Sequence, residues 1–368
     1  MNYILAELTE QVLAARANFK PILIKGGESK SFYGNPFELG SDTPIALDMS
    51  ALKGIVNYQP TELVVTALAG TPLQDIRKAL DEHGQMLAFD PPQFSASSTI
   101  GGCVAAGLSG PGRHGAGPLK DYVLGATLID AQGRVLRFGG EVMKNVAGYD
   151  VSRLLAGSLG MFGAIAQVSL KVTPKPLEAC TLEREATEQE ALDLFHSWRA
   201  QPLPIRSTSW EPPDDGHSKG RMRVCLAGAP AAVSSAQAKL GGERMDALAA
   251  QQFWADLRDH QLAFFSSQPL WRVAVAPGTP ALGLGPTWIE WGGGQRWMNS
   301  DLDAGMVRAV AKKAGGHATL FRPRAESAPP EHGVFQPLDP GVLNIVQRLK
   351  HEFDPKGLFN PGRLVMGV

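Results

Sequence analysis

Cysteine is scarce in this sequence. There are three in 368 residues, Cys103, Cys180 and Cys225, and they lie far apart. No pair has metal-ligand spacing, so the chain by itself cannot hold a cysteine-ligated iron–sulfur cluster. The odd, sparse count also argues against a disulfide framework and fits a reducing compartment, with all three as packing residues. Long apolar runs are missing too, and none approaches the roughly 20 residues that span a bilayer. The N-terminus carries Glu7 and Glu10 and lacks the basic start and apolar core of a secretory signal. A cytoplasmic protein is expected, touching a membrane only through partners. Charge of one sign is not in excess: 35 Lys and Arg face 36 Asp and Glu, for a net charge of −1. That balance argues against a nucleic-acid binder, which usually shows a basic excess. No His or carboxylate pair has metal spacing, so no metal is expected. What remains, at 44% apolar and 19% charged, is a globular chain long enough for two ordinary domains.

Glycine is the opposite case. Gly101, Gly102, Gly107, Gly110, Gly112, Gly115 and Gly117 crowd into one stretch with Ala105, Ala106 and Ser109. Such a density argues against an ordinary helix or strand. It suits tight turns, or a loop whose N–H groups converge on an anion such as a diphosphate. A loop of the same kind lies earlier. Pro21–Lys25 is a short apolar run that reads as a buried strand, and it leads into Gly26-Gly27-Glu28-Ser29, with Gly34 closing the turn. Further on, Pro91-Pro92 precede Thr99-Ile100-Gly101-Gly102. Neither loop carries the G-x-G-x-x-G dinucleotide fingerprint or the Gly-Lys-Ser/Thr of a Walker loop.

In this order the two loops resemble the FAD-binding domain of the vanillyl-alcohol oxidase and p-cresol methylhydroxylase superfamily. The resemblance continues through Gly148-Tyr149-Asp150 and Gly157-Ser158-Leu159-Gly160 and ends in the tail Phe353–Arg363. More narrowly, the run from Phe138 to Asp150, FGGEVMKNVAGYD, resembles the FAD-binding subunits of bacterial glycolate oxidase. The fold this implies is α+β. Residues 1–174 would form a two-part FAD-binding domain of the p-cresol methylhydroxylase type. Residues 178–338 would form a smaller antiparallel α+β cap-like domain, and 339–368 a helix and tail returning to the FAD domain. By the same resemblance, Lys25, Gly26, Gly27, Glu28 and Ser29 form the first diphosphate loop, and Pro91, Thr99, Ile100, Gly101 and Gly102 belong to the second. Ala105, Ala106 and Gly107 would lie against the flavin, and Ile165 would reach it. Covalent relatives carry histidine after the first glycine pair. Glu28 stands there and cannot make that link, so the FAD is expected to be non-covalent.

The pattern along the chain is readable in outline. Ile4, Leu5, Leu8, Val12 and Leu13 have helical spacing, and strands are expected at 45–48, 54–58 and 62–68. Thr71-Pro72-Leu73-Gln74 reads as a capping box opening a helix through Leu80, with Gly84 just past its end. Residues 122–129 and 134–138 read as a hairpin, Asp150 as the cap of a short helix, and 163–172 as a strand. Thr173–Leu177, with two prolines, is the expected boundary. Beyond it, helices are expected at 187–200, 230–240, 247–260, 302–314 and 339–353. Strands are expected at 204–210, 221–228, 270–276, 286–292 and 317–322.

Oxidising a 2-hydroxy acid needs a base for the hydroxyl proton and a cation for the carboxylate. Related 2-hydroxy-acid dehydrogenases carry a Gly-Asp-Gly-Asn-Leu-His motif in the second domain, and it is missing here. The nearest stretch, Gly315–Arg322, offers His317, which reads first as an ordinary strand histidine. His196, His217, His260, His332 and His351 are scattered and read as surface residues. Where the catalytic relatives carry Glu in the Gly-Ser-x-Gly turn, this chain has Leu159. Trp271-Arg272 and Trp291–Trp297 could line a pocket over the flavin, face a partner, or simply pack. No catalytic residue is assigned. Three functions compete: a self-sufficient FAD-dependent 2-hydroxy-acid dehydrogenase, an FAD-binding accessory subunit, and a same-fold flavoprotein acting on another alcohol. The missing histidine motif speaks against the first and the FGGEVMKNVAGYD run against the third. The expectation is a subunit working with a catalytic flavoprotein subunit and an iron–sulfur subunit on glycolate and, by the same resemblance, D-lactate.

Overall fold

The computed structural model describes residues 2–37, 43–140, 150–213, 217–324 and 330–368. Most of the FGGEVMKNVAGYD run, 141–149, therefore lies outside the described residues. Helix α1 (Asn2–Ala17) buries Leu8, Val12 and Ala15, the stripe its spacing dictates. That stripe packs on β1 (Ile22–Lys25) and β2 (Ile45–Asp48), which pair in parallel from Ile22↔Ile45 to Lys25↔Asp48. A five-stranded antiparallel sheet follows. Its strands are β3 (Ile55–Gln59), β4 (Val64–Leu68), β6 (Val123–Ile129), β7 (Val135–Gly139) and β8 (Ala164–Lys171), in the order β3-β4-β8-β6-β7. The short β5 (Gln85–Met86) pairs with β9 (Thr173–Pro174) beside it. Helices α2 (Leu73–Asp81), α3 (Ile100–Ala106), α4 (Arg113–Ala116) and α5 (Val151–Leu154) belong to this part.

The second sheet is larger, with eight antiparallel strands. It contains β10 (Glu178–Ala186), β11 (Ile205–Glu211), β12 (Gly220–Gly228), β13 (Glu243–Arg244), β14 (Leu270–Ala274), β15 (Thr287–Glu290), β16 (Gln295–Asn299) and β17 (His317–Arg322). Their order is β13-β10-β12-β11-β15-β16-β14-β17. Helices α6 (Glu188–Arg199), α7 (Pro230–Leu240), α8 (Ala247–Arg258) and α9 (Ala304–Lys313) accompany it, and α10 (Pro340–Phe353) leads into the tail. Thr187 and Glu190 form the capping box that opens α6. The tail then returns across the molecule to β1. Ile22 N donates to Leu358 O (2.7 Å), and Asn360 N donates to Ile22 O (3.0 Å).

The two sheets meet through one aromatic cluster. Tyr33, Ala106 and Leu108 come from the first part, and Phe265, Trp288, Trp297 and Phe321 from the second. Burying a side chain such as Phe265 or Phe321 stabilises by about 1.5–3 kcal/mol. Polar contacts cross the same seam: Gln93 N donates to Asp259 Oδ1 (2.7 Å), and Trp291 Nε1 to the Gly110 carbonyl (3.1 Å).

Three local expectations fail, each for a readable reason. The glycine-rich stretch does contain a helix, α3. Ile100, Cys103 and Val104 give it a buried stripe, Thr99 caps it by accepting from Gly102 N, and Gly107 ends it at φ 65°. Thr71 is not a capping residue. Its hydroxyl donates to Leu68 O (2.6 Å) and accepts from Gly54 N (2.9 Å), and α2 starts after Pro72 with no side-chain cap. The strand expected through Gly292 stops at Glu290, because Trp291, Gly292 and Gly293 all turn to positive φ and return the chain into β16.

Candidate functional site

A groove with an empty volume of about 1030 Å³ lies between the two glycine loops. One wall is the end of β1 and the loop after it, from Lys25 to Ser31. The other is Thr99, Gly101, Gly102, Ala105 and Ala106 along α3. Leu159, Gly160, Gly163 and Ile165 form the floor, and Asn360 and Arg363 from the tail close one end. Of the residues read from sequence, Lys25, Gly26, Gly27, Glu28, Ser29, Thr99, Gly101, Gly102, Ala105, Ala106 and Ile165 line this groove. Pro91, Ile100 and Gly107 do not. The Pro91 carbonyl accepts from Arg77 Nη2 (2.7 Å), Ile100 points into the core, and Gly107 packs on the backbone of Gly157.

The first loop is pressed onto the segment before α3. A Cβ on Gly27 would stand 1.5 Å from the Ser97 carbonyl oxygen, so only glycine fits. Glu28 next to it adopts φ 50°, and alternation into the left-handed region turns successive N–H groups to one side. Among the described residues the N–H groups of Gly27, Glu28, Ser29 and Lys30 have no protein acceptor. The first turn of α3 differs, because Ile100 N and Gly101 N are taken by Thr71 O and Ala69 O. Gly101 is needed there for close packing, since a Cβ would come within 2.5 Å of the Ala69 Cβ. The donors left for an anion are therefore mainly those of the first loop.

A cation sits with them. Lys30 Nζ lies 3.4 Å from Ser29 Oγ and 3.3 Å from Ser98 Oγ, and above the Phe94 ring at 5.5 Å. Burial lowers its pKa, which marks a charge sheltered from water. Lys25 instead faces Glu28 at 3.7 Å. Sequence reasoning missed Lys30, Tyr33, Asn360 and Arg363. Arg363 donates to the Asn35, Ser31 and Tyr33 carbonyls (2.6, 2.9 and 2.6 Å), and Asn360 joins Ile24 N to the Leu159 carbonyl. The tail motif was visible, but nothing in it said that it would fasten the far side of the first loop.

The groove thus has free amides and a half-buried ammonium along one wall and an apolar bed of Ala105, Ala106, Leu159 and Ile165 across the other wall and the floor. That donor set fits a diphosphate joined to a flat apolar ring, as in FAD.

The second sheet brings its own chemistry. Glu290 is buried and accepts from Trp297 Nε1 (2.6 Å) and Gln295 Nε2 (3.1 Å), and burial raises its pKa to about 7. Arg272 Nε donates to Gln295 Oε1 (2.7 Å), and its guanidinium lies over the Trp291 ring at 5.2 Å. Arg113 lies over the same ring at 4.3 Å. Trp271, Trp291 and Trp297 are all buried within the chain. His260 is not the surface residue expected: it stacks on Phe265 at 4.3 Å and meets Trp297 edge-on at 4.6 Å. Burial, then the Arg322 and Arg272 charges, holds its pKa well below the usual value, so it stays neutral. His317, the first residue of β17, is exposed to solvent along one side, and partial burial followed by the Arg272 and Arg113 charges lowers its pKa. Among the described residues no cluster of His, Cys, Asp or Glu could hold a metal. Among them no helix is long and apolar enough to cross a membrane.

The chain matches a family described as FAD binding domain over residues 5–139. It is 42% identical to glycolate oxidase subunit GlcE of Escherichia coli, with 97% of this chain and 96% of that protein covered. It is 29% identical to mitochondrial D-lactate dehydrogenase [cytochrome] 1 of Saccharomyces cerevisiae, over 43% of this chain and 26% of that protein. Among solved structures it is similar to alkyldihydroxyacetonephosphate synthase, with a TM-score of 0.67 at 16% identity, covering 98% of this chain and 76% of that one. That likeness bears on the fold alone. Identity at this level along nearly the whole length places the chain in the family of glycolate oxidase subunit GlcE, on the fold of an FAD-binding flavoprotein.

Proposed function

We propose that this chain is the FAD-binding subunit of an assembly that oxidises glycolate, and D-lactate by the same chemistry, to the 2-oxo acid. The observation that carries the reading is the groove of free amides, sheltered Lys30 and apolar bed, in a chain similar from end to end to a glycolate oxidase subunit. FAD, when bound, supplies the acceptor for the hydride. The chain's own residues bind and orient it. The N–H groups of Gly27 to Lys30 and the Lys30 ammonium would hold the diphosphate, and Ala105, Ala106, Leu159 and Ile165 would support the ring. Glu28 offers no imidazole for attachment, so the cofactor is held non-covalently. Acid precipitation should release the yellow colour into the supernatant; colour kept in the pellet would mean covalent attachment.

The electrons must then leave through other polypeptides. Cys103, Cys180 and Cys225 are buried and free; Cys180 and Cys225 are neighbours on β10 and β12 and Cys103 lies in α3, so the three thiols offer no four-ligand set for a cluster. The partners proposed are a catalytic flavoprotein subunit and an iron–sulfur subunit, in the cytoplasm. The division into an FAD domain, a cap and a returning tail is part of the same reading. To test it, the isolated chain is loaded with FAD and mixed with glycolate without oxygen. Slow or no bleaching is expected, with turnover restored by the two partner subunits. One observation favours a second reading, a self-sufficient dehydrogenase: a cleft reaches the groove at Tyr33. Rapid, complete bleaching of the isolated chain would establish that alternative.

A further inference from the structure

A cleft with an empty volume of about 1510 Å³ runs between the edge of the second sheet and α10 with the tail. Arg272 and His317 line one side, Val342 and Val346 the other, and Tyr33 stands in its wall. Tyr33 also lines the FAD groove, so the two spaces share one phenol. Arg272 lies beside that phenol, whose pKa is raised by burial. Among the described residues Arg272 makes no salt bridge. The nearby carboxylate, Glu290, is already engaged by Gln295 and Trp297, and the carboxylate lining the cleft, Asp339, faces Lys312 Nζ at 3.4 Å. The charge of Arg113 adds to that of Arg272 at His317. A cation without a counterion, against an apolar wall and next to a cofactor groove, is the chemistry of a small-acid site.

We propose that the inner end of this cleft binds a small organic monocarboxylate, with Arg272 holding its carboxylate and Tyr33 and His317 flanking it. The proposal rests on the FAD-subunit reading for its position beside the flavin. A carboxylate is favoured over phosphate because a planar guanidinium matches it edge to edge and Val342 and Val346 suit a carbon body. Binding an acid here does not require that it be oxidised here.

The test uses the full FAD-loaded chain and 2-hydroxy-2-methylpropanoate, which has no hydrogen on its hydroxyl-bearing carbon and cannot lose a hydride there. Binding is read by calorimetry and by perturbation of the flavin absorbance. Saturable binding is expected, weakened at least about tenfold by Arg272→Gln and less by His317→Gln and Tyr33→Phe. Arg324→Gln, whose side chain pairs with Asp301, should bind as the wild type does. Absence of saturable binding, equal competition by inorganic phosphate, or an unchanged constant in Arg272→Gln would overturn the proposal. If Arg272→Gln does not fold, unchanged binding in both His317→Gln and Tyr33→Phe overturns it instead. Failure of the functional reading looks different: the chain would bind the acid yet hold no FAD, or support no glycolate oxidation with its partners.

Discussion

The groove between the glycine loops and the polar centre of the second sheet are both rich in donors, yet they are built in opposite ways. In the groove, amides from Gly27 to Lys30 and the Lys30 ammonium lack carboxylate or carbonyl partners among the described residues. In the sheet, Glu290, Gln295 and Trp297 satisfy one another, and Arg272 gives only its Nε to that network. Amides turned into a groove with no protein acceptor are open to a ligand, whereas a closed, buried network contributes to folding. The comparison separates binding residues from structural ones without reference to any relative.

The comparison can be broken most directly at Gly27. Gly27→Val drives a branched side chain into the Ser97 carbonyl, and we expect loss of FAD with the second sheet still folded. The ratio of flavin to protein absorbance checks this, and stoichiometric FAD would show that the first loop does not bind it. Lys30→Met comes next. It keeps the packing length and removes the charge, and FAD affinity should fall about tenfold with thermal stability nearly unchanged. Equilibrium dialysis reads the affinity; no change would leave the amides as the whole diphosphate site.

Glu290→Gln addresses the other half of the comparison. The folded-state pKa is raised from 4.5 to about 7, so the folded chain binds the proton more tightly than the unfolded one. The stability that this proton confers is full below about 4.5 and is lost as pH rises through 7, a swing on the order of 3 kcal/mol. The variant should lack this slope while keeping FAD. Melting temperatures at pH 5 and pH 7.5 compare the two, and equal slopes would mean that Glu290 titrates normally. The smallest effect is expected for His317→Ala, at the exposed start of a strand: FAD binding stays within about twofold of wild type. An FAD-free variant would bring His317 into the cofactor site.

Much of this architecture is written in local pattern. The stripe of α1, the strand Ile22–Lys25, the hairpin across Gly133 and the helix after Asp339 follow from periodicity and turn residues alone, because they need only short-range information. The first glycine loop was likewise visible as a turn after β1. Other features depended on partners distant in sequence. Helix α3 forms within a glycine-rich stretch because Ile100, Cys103 and Val104 find a core to enter and Gly101 allows contact with Ala69. His260 becomes an interior residue because Phe265, Trp297 and Phe321 surround it from other segments. The sequence by itself determined where the backbone could turn and which faces were apolar. Only the tertiary structure decided which donors find partners: Lys30 was drawn to Phe94 and Ser98, and Arg363 reached Ser31 across the whole chain. Burial and pairing are properties of surroundings, and those surroundings are assembled from residues that no local pattern connects.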